Sequence, residues 1–64
     1  MTTEYKVIGT GYGYAHKFWI VEMDHKPDSL ETRKIANELD GGYLFGSRVE
    51  DSTPGRYKII GYTD

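Results

Sequence analysis

Apolar and polar positions alternate near both ends of the chain, which is the pattern of half-buried β-strands. Residues 4–10 form one such segment, and residues 16–23 form the strongest one, with the apolar run Phe18 to Val21 inside it. Glycine and tyrosine residues at 11–15 separate the two segments and indicate a turn or a bulged strand end. We expect the two strands to pair as a hairpin.

A helical spacing of apolar residues follows a polar connection. Asp28 is the candidate N-cap because Glu31 lies at the capping-box spacing, and Ser29 is the rival cap. Gly41 and Gly42 are expected to end the helix, since glycine accepts the left-handed conformation. The apolar stripe consists of Leu30, Thr32, Ile35, Ala36 and Leu39, and the residues expected to face water are Arg33, Lys34, Asn37 and Glu38.

Two more strands complete the chain. Residues 43–49 form the third strand, and residues 56–62 form the fourth. The turn between them has Pro54 and Gly55 at the positions typical of a type II turn. The order is β-β-α-β-β, and we expect one α+β domain that spans residues 1–64.

The two terminal strands are nearly identical in sequence, Tyr5 to Gly9 and Tyr57 to Gly61. Together with the helix-then-hairpin ending, they resemble the β-grasp architecture of immunoglobulin-binding domains of bacterial surface proteins. That resemblance implies a four-stranded mixed sheet with the terminal strands parallel in its centre and the helix on one face. It implies no function, because a fold alone does not. The alternative is an open sheet with another strand order, or one completed across a dimer.

Strand alternation divides the apolar residues between two faces, and one helix covers only one of them. The face under the helix is expected to hold Tyr5, Val7, Trp19, Val21, Met23, Phe45, Val49, Tyr57 and Ile59. The opposite face would hold Ile8, Phe18, Ile20, Leu44, Ile60 and Tyr62. Such a patch exceeds what monomers usually expose, so it predicts a partner surface. The alternative is that strand twist, a bulge or the 11–15 segment covers this face.

Composition narrows the classes of function. The chain has 64 residues, no cysteine, and a formal net charge of −2 with the charges interspersed. Disulfides and thiolate metal sites are therefore excluded, and a broad basic patch for nucleic acid is not expected. A chain this small usually needs an additional source of stability, which leaves oligomerisation. We find no secretory signal and no membrane-spanning segment, so we expect a cytoplasmic protein.

The glycines at 9, 11 and 13 do not form a dinucleotide-binding loop, because they lead into another strand and not into a helix. Alternating glycine and aromatic residues with Lys17 nearby are similar to the base-stacking sheets of RNA-recognition and cold-shock domains.

A cluster of acidic residues and one histidine follows the second strand, in a composition that is routine for polar loops. Its members are Glu22, Asp24, His25 and Asp28. With His16 and His25 as the only imidazoles, we predict no catalytic residues, no metal and no cofactor.

The sequence therefore favours a small non-enzymatic protein-binding module that occludes or bridges a macromolecular partner or associates with itself, as a homodimer for example. Inhibitors and accessory factors, including those of phages and mobile elements, are often of this size. The expected apolar anchors are Ile8, Phe18, Ile20, Leu44 and Ile60, and the expected rim contacts are Tyr12, Tyr14 and Tyr62. The alternative function is single-stranded nucleic-acid binding through a Tyr, Phe and Trp platform.

Overall fold

A computed structural model describes residues 4–41 and 44–63 and contains four strands and one helix. The elements are β1 (Lys6–Gly13), β2 (His16–Glu22), α1 (Ser29–Asp40), β3 (Gly46–Asp51) and β4 (Arg56–Tyr62). The expected order β-β-α-β-β is confirmed, as is the α+β class with one helix packed on one face of a four-stranded sheet.

The helix begins and ends at the expected signals. The Asp28 carboxylate accepts a hydrogen bond from the Glu31 N–H at 2.8 Å, and the Glu31 carboxylate accepts one from the Asp28 N–H at 3.3 Å. This is the predicted capping box. Gly41 adopts a φ of 71°, and its N–H donates to the Asn37 carbonyl. The predicted contributions of Gly42 to the helix end and of Tyr43 to the third strand lie outside the described residues.

The order of the strands differs from the β-grasp expectation. The sheet runs β1-β2-β4-β3 with every pair antiparallel, so the predicted mixed sheet with parallel terminal strands in its centre is wrong. β2 lies between the terminal strands because it pairs with β4 along its whole length, from His16 opposite Tyr62 to Glu22 opposite Arg56. The predicted type II turn between β3 and β4 is confirmed by Gly55, whose φ is 80°.

The matched terminal segments occupy unlike environments. Ile59 and Ile60 of β4 are buried on opposite faces of the sheet, whereas Val7 and Ile8 of β1 are exposed on an edge strand. A β-bulge between Val7 and Gly9 shifts the register of β1 there. The similarity of the two segments therefore reflects residue types that favour strands and not a shared position.

β1 is longer than expected because its glycines belong to the strand. It continues to Gly13, and the turn contains only Tyr14 and Ala15. A Cβ atom on Gly11 would clash with the ring of Phe18, and one on Gly13 would lie 2.6 Å from the ring of His16. The glycines thus leave the space into which the side chains of β2 lean.

The core lies between α1 and the sheet. The helix packs mainly over β3 and β4. The buried cluster consists of Trp19, Val21, Met23, Ile35, Ala36, Leu44 and Ile59. Leu44 was expected on the opposite face and Phe45 under the helix, but Leu44 is in the core with 9% exposure and Phe45 is exposed. Both residues precede β3, which begins at Gly46, so strand alternation does not apply to them.

Two side-chain contacts attach the helix to the β1–β2 hairpin. The Tyr5 hydroxyl donates to Glu38 at 2.7 Å, and Lys17 forms an ion pair with Asp40 at 2.8 Å. Burial, together with the hydrogen bond to Glu38, raises the pKa of Tyr5 to about 12. Both contacts connect the carboxyl-terminal half of α1 to β2 and to the residue that precedes β1.

Replacing Gly61 with Ala should lower the free energy of unfolding by about 1–3 kcal/mol, because overpacking a buried site is destabilising. The new Cβ atom would lie 2.8 Å from Leu44 Cδ1 and 3.2 Å from Trp19 Cζ3. Chemical denaturation followed by tryptophan fluorescence measures the change. Gly46→Ala is the matched control, since its Cβ atom would meet Tyr62 at an ordinary 3.8 Å. Equal denaturation midpoints for the two variants would contradict the packing described above.

Candidate binding surfaces

The outer edge of β1 is the first candidate surface. β1 pairs only with β2, so alternate backbone N–H and C=O groups of its eight residues point away from the sheet. Its one charged residue is Lys6, and Val7, Ile8 and Tyr12 present exposed apolar area. This combination is typical of an edge that accepts another strand.

The hairpin tip extends this surface. Tyr14 is 96% exposed and Tyr12 is 86% exposed. Ala15 adopts a φ of 61°, a conformation that costs a residue with a Cβ atom roughly 1 kcal/mol or more. Its carbonyl accepts a hydrogen bond from the Thr63 N–H at 3.0 Å, and His16 Nδ1 donates to the Tyr14 carbonyl at 2.9 Å. The carbonyl groups of both turn residues are therefore held by hydrogen bonds.

The sheet face opposite the helix, hereafter the open face, is less apolar than the sequence suggested. Phe18, Ile20 and Ile60 share this face by register, with Ile60 covered to 6% exposure and the other two half-buried. The ammonium of Lys58 lies 4.6 Å from the centre of the Phe18 ring. Neighbouring side chains thus cover part of this face, whereas the 11–15 segment, which was an expected alternative cover, belongs to the β1–β2 hairpin.

Charged side chains frame the open face. The strand register places four basic residues on this face, Lys6, Arg48, Arg56 and Lys58. It places two acidic residues there, Glu22 and Glu50. Both acidic groups are paired, Glu22 with Arg56 at 3.4 Å and Glu50 with Arg48 at 2.9 Å. Because the whole chain has a net charge of −2, the acidic excess lies on its other surfaces.

The predicted anchor residues do not form one patch. Ile8 lies on the edge strand, Phe18 and Ile20 lie on the open face beside it, and Leu44 is in the core. Tyr62 lies on the open face, opposite His16 and Gly46, at the far end of β4. Trp19, which the alternative nucleic-acid platform would use, is buried. Val7 was expected under the helix. It lies on the helix-side face, opposite Val21, but it is exposed because α1 packs over β3 and β4 and not over β1.

His25 links the loop after β2 to the start of the helix. Its Nδ1 lies 2.6 Å from Asp24 Oδ1, and its Nε2 lies 3.0 Å from Glu31 Oε2. The hydrogen bonds to Glu31 and then to Asp24 raise the pKa of His25 above its ordinary value. The ring thus bridges the loop residue Asp24 and the first turn of the helix at Glu31.

Over residues 4–41 and 44–63, no cluster of His, Asp or Glu side chains is arranged to hold a metal ion. The same residues include no helix with the length and apolar character that crossing a membrane requires. The chain matches no known family model, no curated protein and no solved structure. Its function is therefore inferred from the surfaces described above.

Glu31→Gln should lower the pKa of His25, because the amide accepts a hydrogen bond but supplies no negative charge. A glutamine at this position also retains the capping box. NMR titration of the His25 ring measures the change, with Asp24→Asn as the matched comparison and a smaller decrease expected. The His25 bridge stabilises the fold below the ordinary histidine pKa, and this stabilisation is lost as the pH rises through the raised value. An unchanged His25 pKa in Glu31→Gln would show that the bridge does not form.

Proposed function

We propose that this protein is a non-enzymatic protein-binding module and that the edge of β1 pairs with an extended strand of its partner. The observation that carries this proposal is the eight-residue edge strand with one charge, beside exposed Val7, Ile8 and Tyr12. Strand addition takes affinity from backbone hydrogen bonds and specificity from side chains on the two faces. β1 offers both.

The two edges of the sheet are unlike each other. β3 carries Arg48, Glu50 and Asp51 within six residues, and charged side chains are a usual protection of an edge against indiscriminate pairing. β1 has no comparable protection apart from Lys6 at its start and the bulge beside Val7. The difference favours β1 as the edge that a protein partner covers.

The exposed side chains supply a useful part of an interface. Tyr12 and Tyr14 each offer roughly 150–250 Å². A standard interface buries about 800 Å² per partner. An added strand would also cover the half-buried Phe18 and Ile20, which lean over Gly11 and Gly9 towards this edge. These contributions approach the usual requirement without any contact from the opposite side of the molecule.

A second copy of the chain is the simplest partner. Antiparallel pairing of two β1 strands places the two Lys6 residues at opposite ends, so no like charges oppose each other. Such a homodimer would also bury apolar side chains of β1 that are exposed in the single domain. A foreign partner held in the same way would have its own strand edge occluded, which is how a small inhibitor or accessory factor acts.

Ile8→Lys should weaken partner binding at least about tenfold, because a charge on an edge strand disfavours strand addition. Sedimentation velocity over a wide range of protein concentrations measures self-association. Affinity capture from a lysate of the source cells, with wild type and variant as baits, measures foreign partners. Leu30→Lys is the matched control, since Leu30 is also an exposed apolar residue but lies on the helix.

Backbone hydrogen exchange adds a direct readout of pairing. Amides on the outer edge of β1 should exchange more slowly in the complex, because pairing protects them. A monomeric wild type, together with identical proteins captured by wild type and Ile8→Lys, would overturn the proposal.

Single-stranded nucleic acid is a second candidate, favoured by the basic excess of the open face and by three rings on its central strands. These rings belong to His16, Phe18 and Tyr62. Lys58 over Phe18 shows that the ring attracts a cation, and the same ring face would stack a base once Lys58 moves to a phosphate.

Fluorescence polarisation with mixed-sequence oligonucleotides tests this candidate. Affinity should fall with added salt, and Lys6→Glu should reduce the salt slope by about 1 if Lys6 contacts a phosphate. Lys34→Glu, on the helix and away from the open face, is the control with the same change of charge. Absence of binding at low salt would exclude nucleic acid as the ligand.

A further inference from the structure

A groove runs between the helix and the second edge of the sheet. Its larger part has a volume of about 540 Å³, within the range of ligand pockets. Ser29, Arg33 and Asn37 line it from α1, and residues 44–47 line it from the chain that enters β3. These three helical residues follow each other at intervals of four, so they form one stripe along the helix. We call this depression the α1–β3 groove.

The groove continues along β3 as a second depression. Ser29 and Ser47 line both parts, and Thr32 and Val49 line the second. Thr32 is 2% exposed, and its hydroxyl oxygen has no hydrogen-bond partner among the described residues. A buried hydroxyl without a partner is uncommon in folded proteins.

The strand that borders the groove has a free edge. β3 pairs only with β4, so alternate backbone groups of Gly46–Asp51 point towards the groove side of the sheet. Side chains on one face of an extended peptide repeat about every 6.7 Å. Residues at intervals of four on a helix repeat about every 6 Å. A peptide paired with β3 would therefore bring successive side chains close to Ser29, Arg33 and Asn37.

The side chains of the larger part are rich in hydrogen-bond donors. Among the described residues that line it, Arg33 is the one with a charge, and none is acidic. Arg33 is exposed and forms no ion pair with any residue in the described parts of the chain. A guanidinium flanked by hydroxyl and amide groups matches the geometry of a carboxylate.

We propose that the α1–β3 groove binds an extended peptide that carries a carboxylate. The peptide adds to the free edge of β3, and its carboxylate accepts hydrogen bonds from Arg33 and Asn37. The charges of Arg48 and Glu50 exclude purely apolar strands from this edge and select a polar peptide. The site is separate from the β1 edge, so the inference goes beyond the function proposed above and does not depend on it.

Selection from two libraries of random peptides tests the inference, one displayed with free C termini and one displayed as internal segments. We expect enrichment of peptides with a C-terminal carboxylate in the first library, or of Asp and Glu in the second, and the comparison identifies the source of the carboxylate. NMR titration with a selected synthetic peptide should shift the amide signals of Ser47 and Val49. Amidation of the C terminus, or replacement of the acidic residue by its amide, should weaken binding about tenfold.

Arg33→Glu should weaken binding of the same peptide at least about tenfold, because it replaces attraction by repulsion. Lys34→Glu is the matched control, being the neighbouring exposed cation on the same helix but outside the groove, and it should bind as wild type does. Libraries that yield no binder or binders without acidic preference, and equal binding by Arg33→Glu and Lys34→Glu, would each overturn the inference. Peptide-induced shifts confined to β1 would also overturn it, while supporting the proposed function.

Discussion

A single helix can cover only one face of a four-stranded sheet, and the rest of this structure depends on how the other face is closed. The molecule closes it with its own strands. β2 and β4 are paired along their full length in the centre, where Ile60 becomes buried without help from the helix. Phe18 leans over Gly11, and the ammonium of Lys58 covers the outer side of its ring. The exposed large apolar residues of the strands, Val7, Ile8 and Tyr12, therefore lie on the edge strand β1.

The signals that the sequence displayed clearly were local ones. Asp28 with Glu31, Gly41, and Pro54 with Gly55 each specify a cap or a turn through neighbours in the chain, and each was located correctly. The order of the strands depends on contacts between distant residues, for which a single sequence carries little information. The similarity of the terminal segments suggested that they pair with each other. β2 occupies a central position in the sheet because it carries apolar side chains on both faces.

Only some properties of the candidate binding surfaces could be predicted from the sequence. Exposure of Tyr12 and Tyr14 followed from their place beside a turn, but the burial of Leu44 did not, because a residue just before a strand is not subject to its alternation. The helical positions of Ser29, Arg33 and Asn37 were visible as a polar stripe. Of these, Arg33 and Asn37 were expected to face water and Ser29 was considered only as a rival N-cap, since nothing local to the helix indicates that the edge of β3 runs beside it.

The two free edges belong to one twisted sheet. The distance and the angle between two molecules bound at these edges therefore follow from the sheet itself. Strands added beside β1 and beside β3 would be five strand intervals apart, which is about 24 Å. Adjacent strands rotate by roughly 20–25°, so the two added strands would cross at about 100–125°. A partner on one edge would thus be held at a set angle to a peptide on the other. The sheet between them would then determine the relative orientation of the two bound molecules.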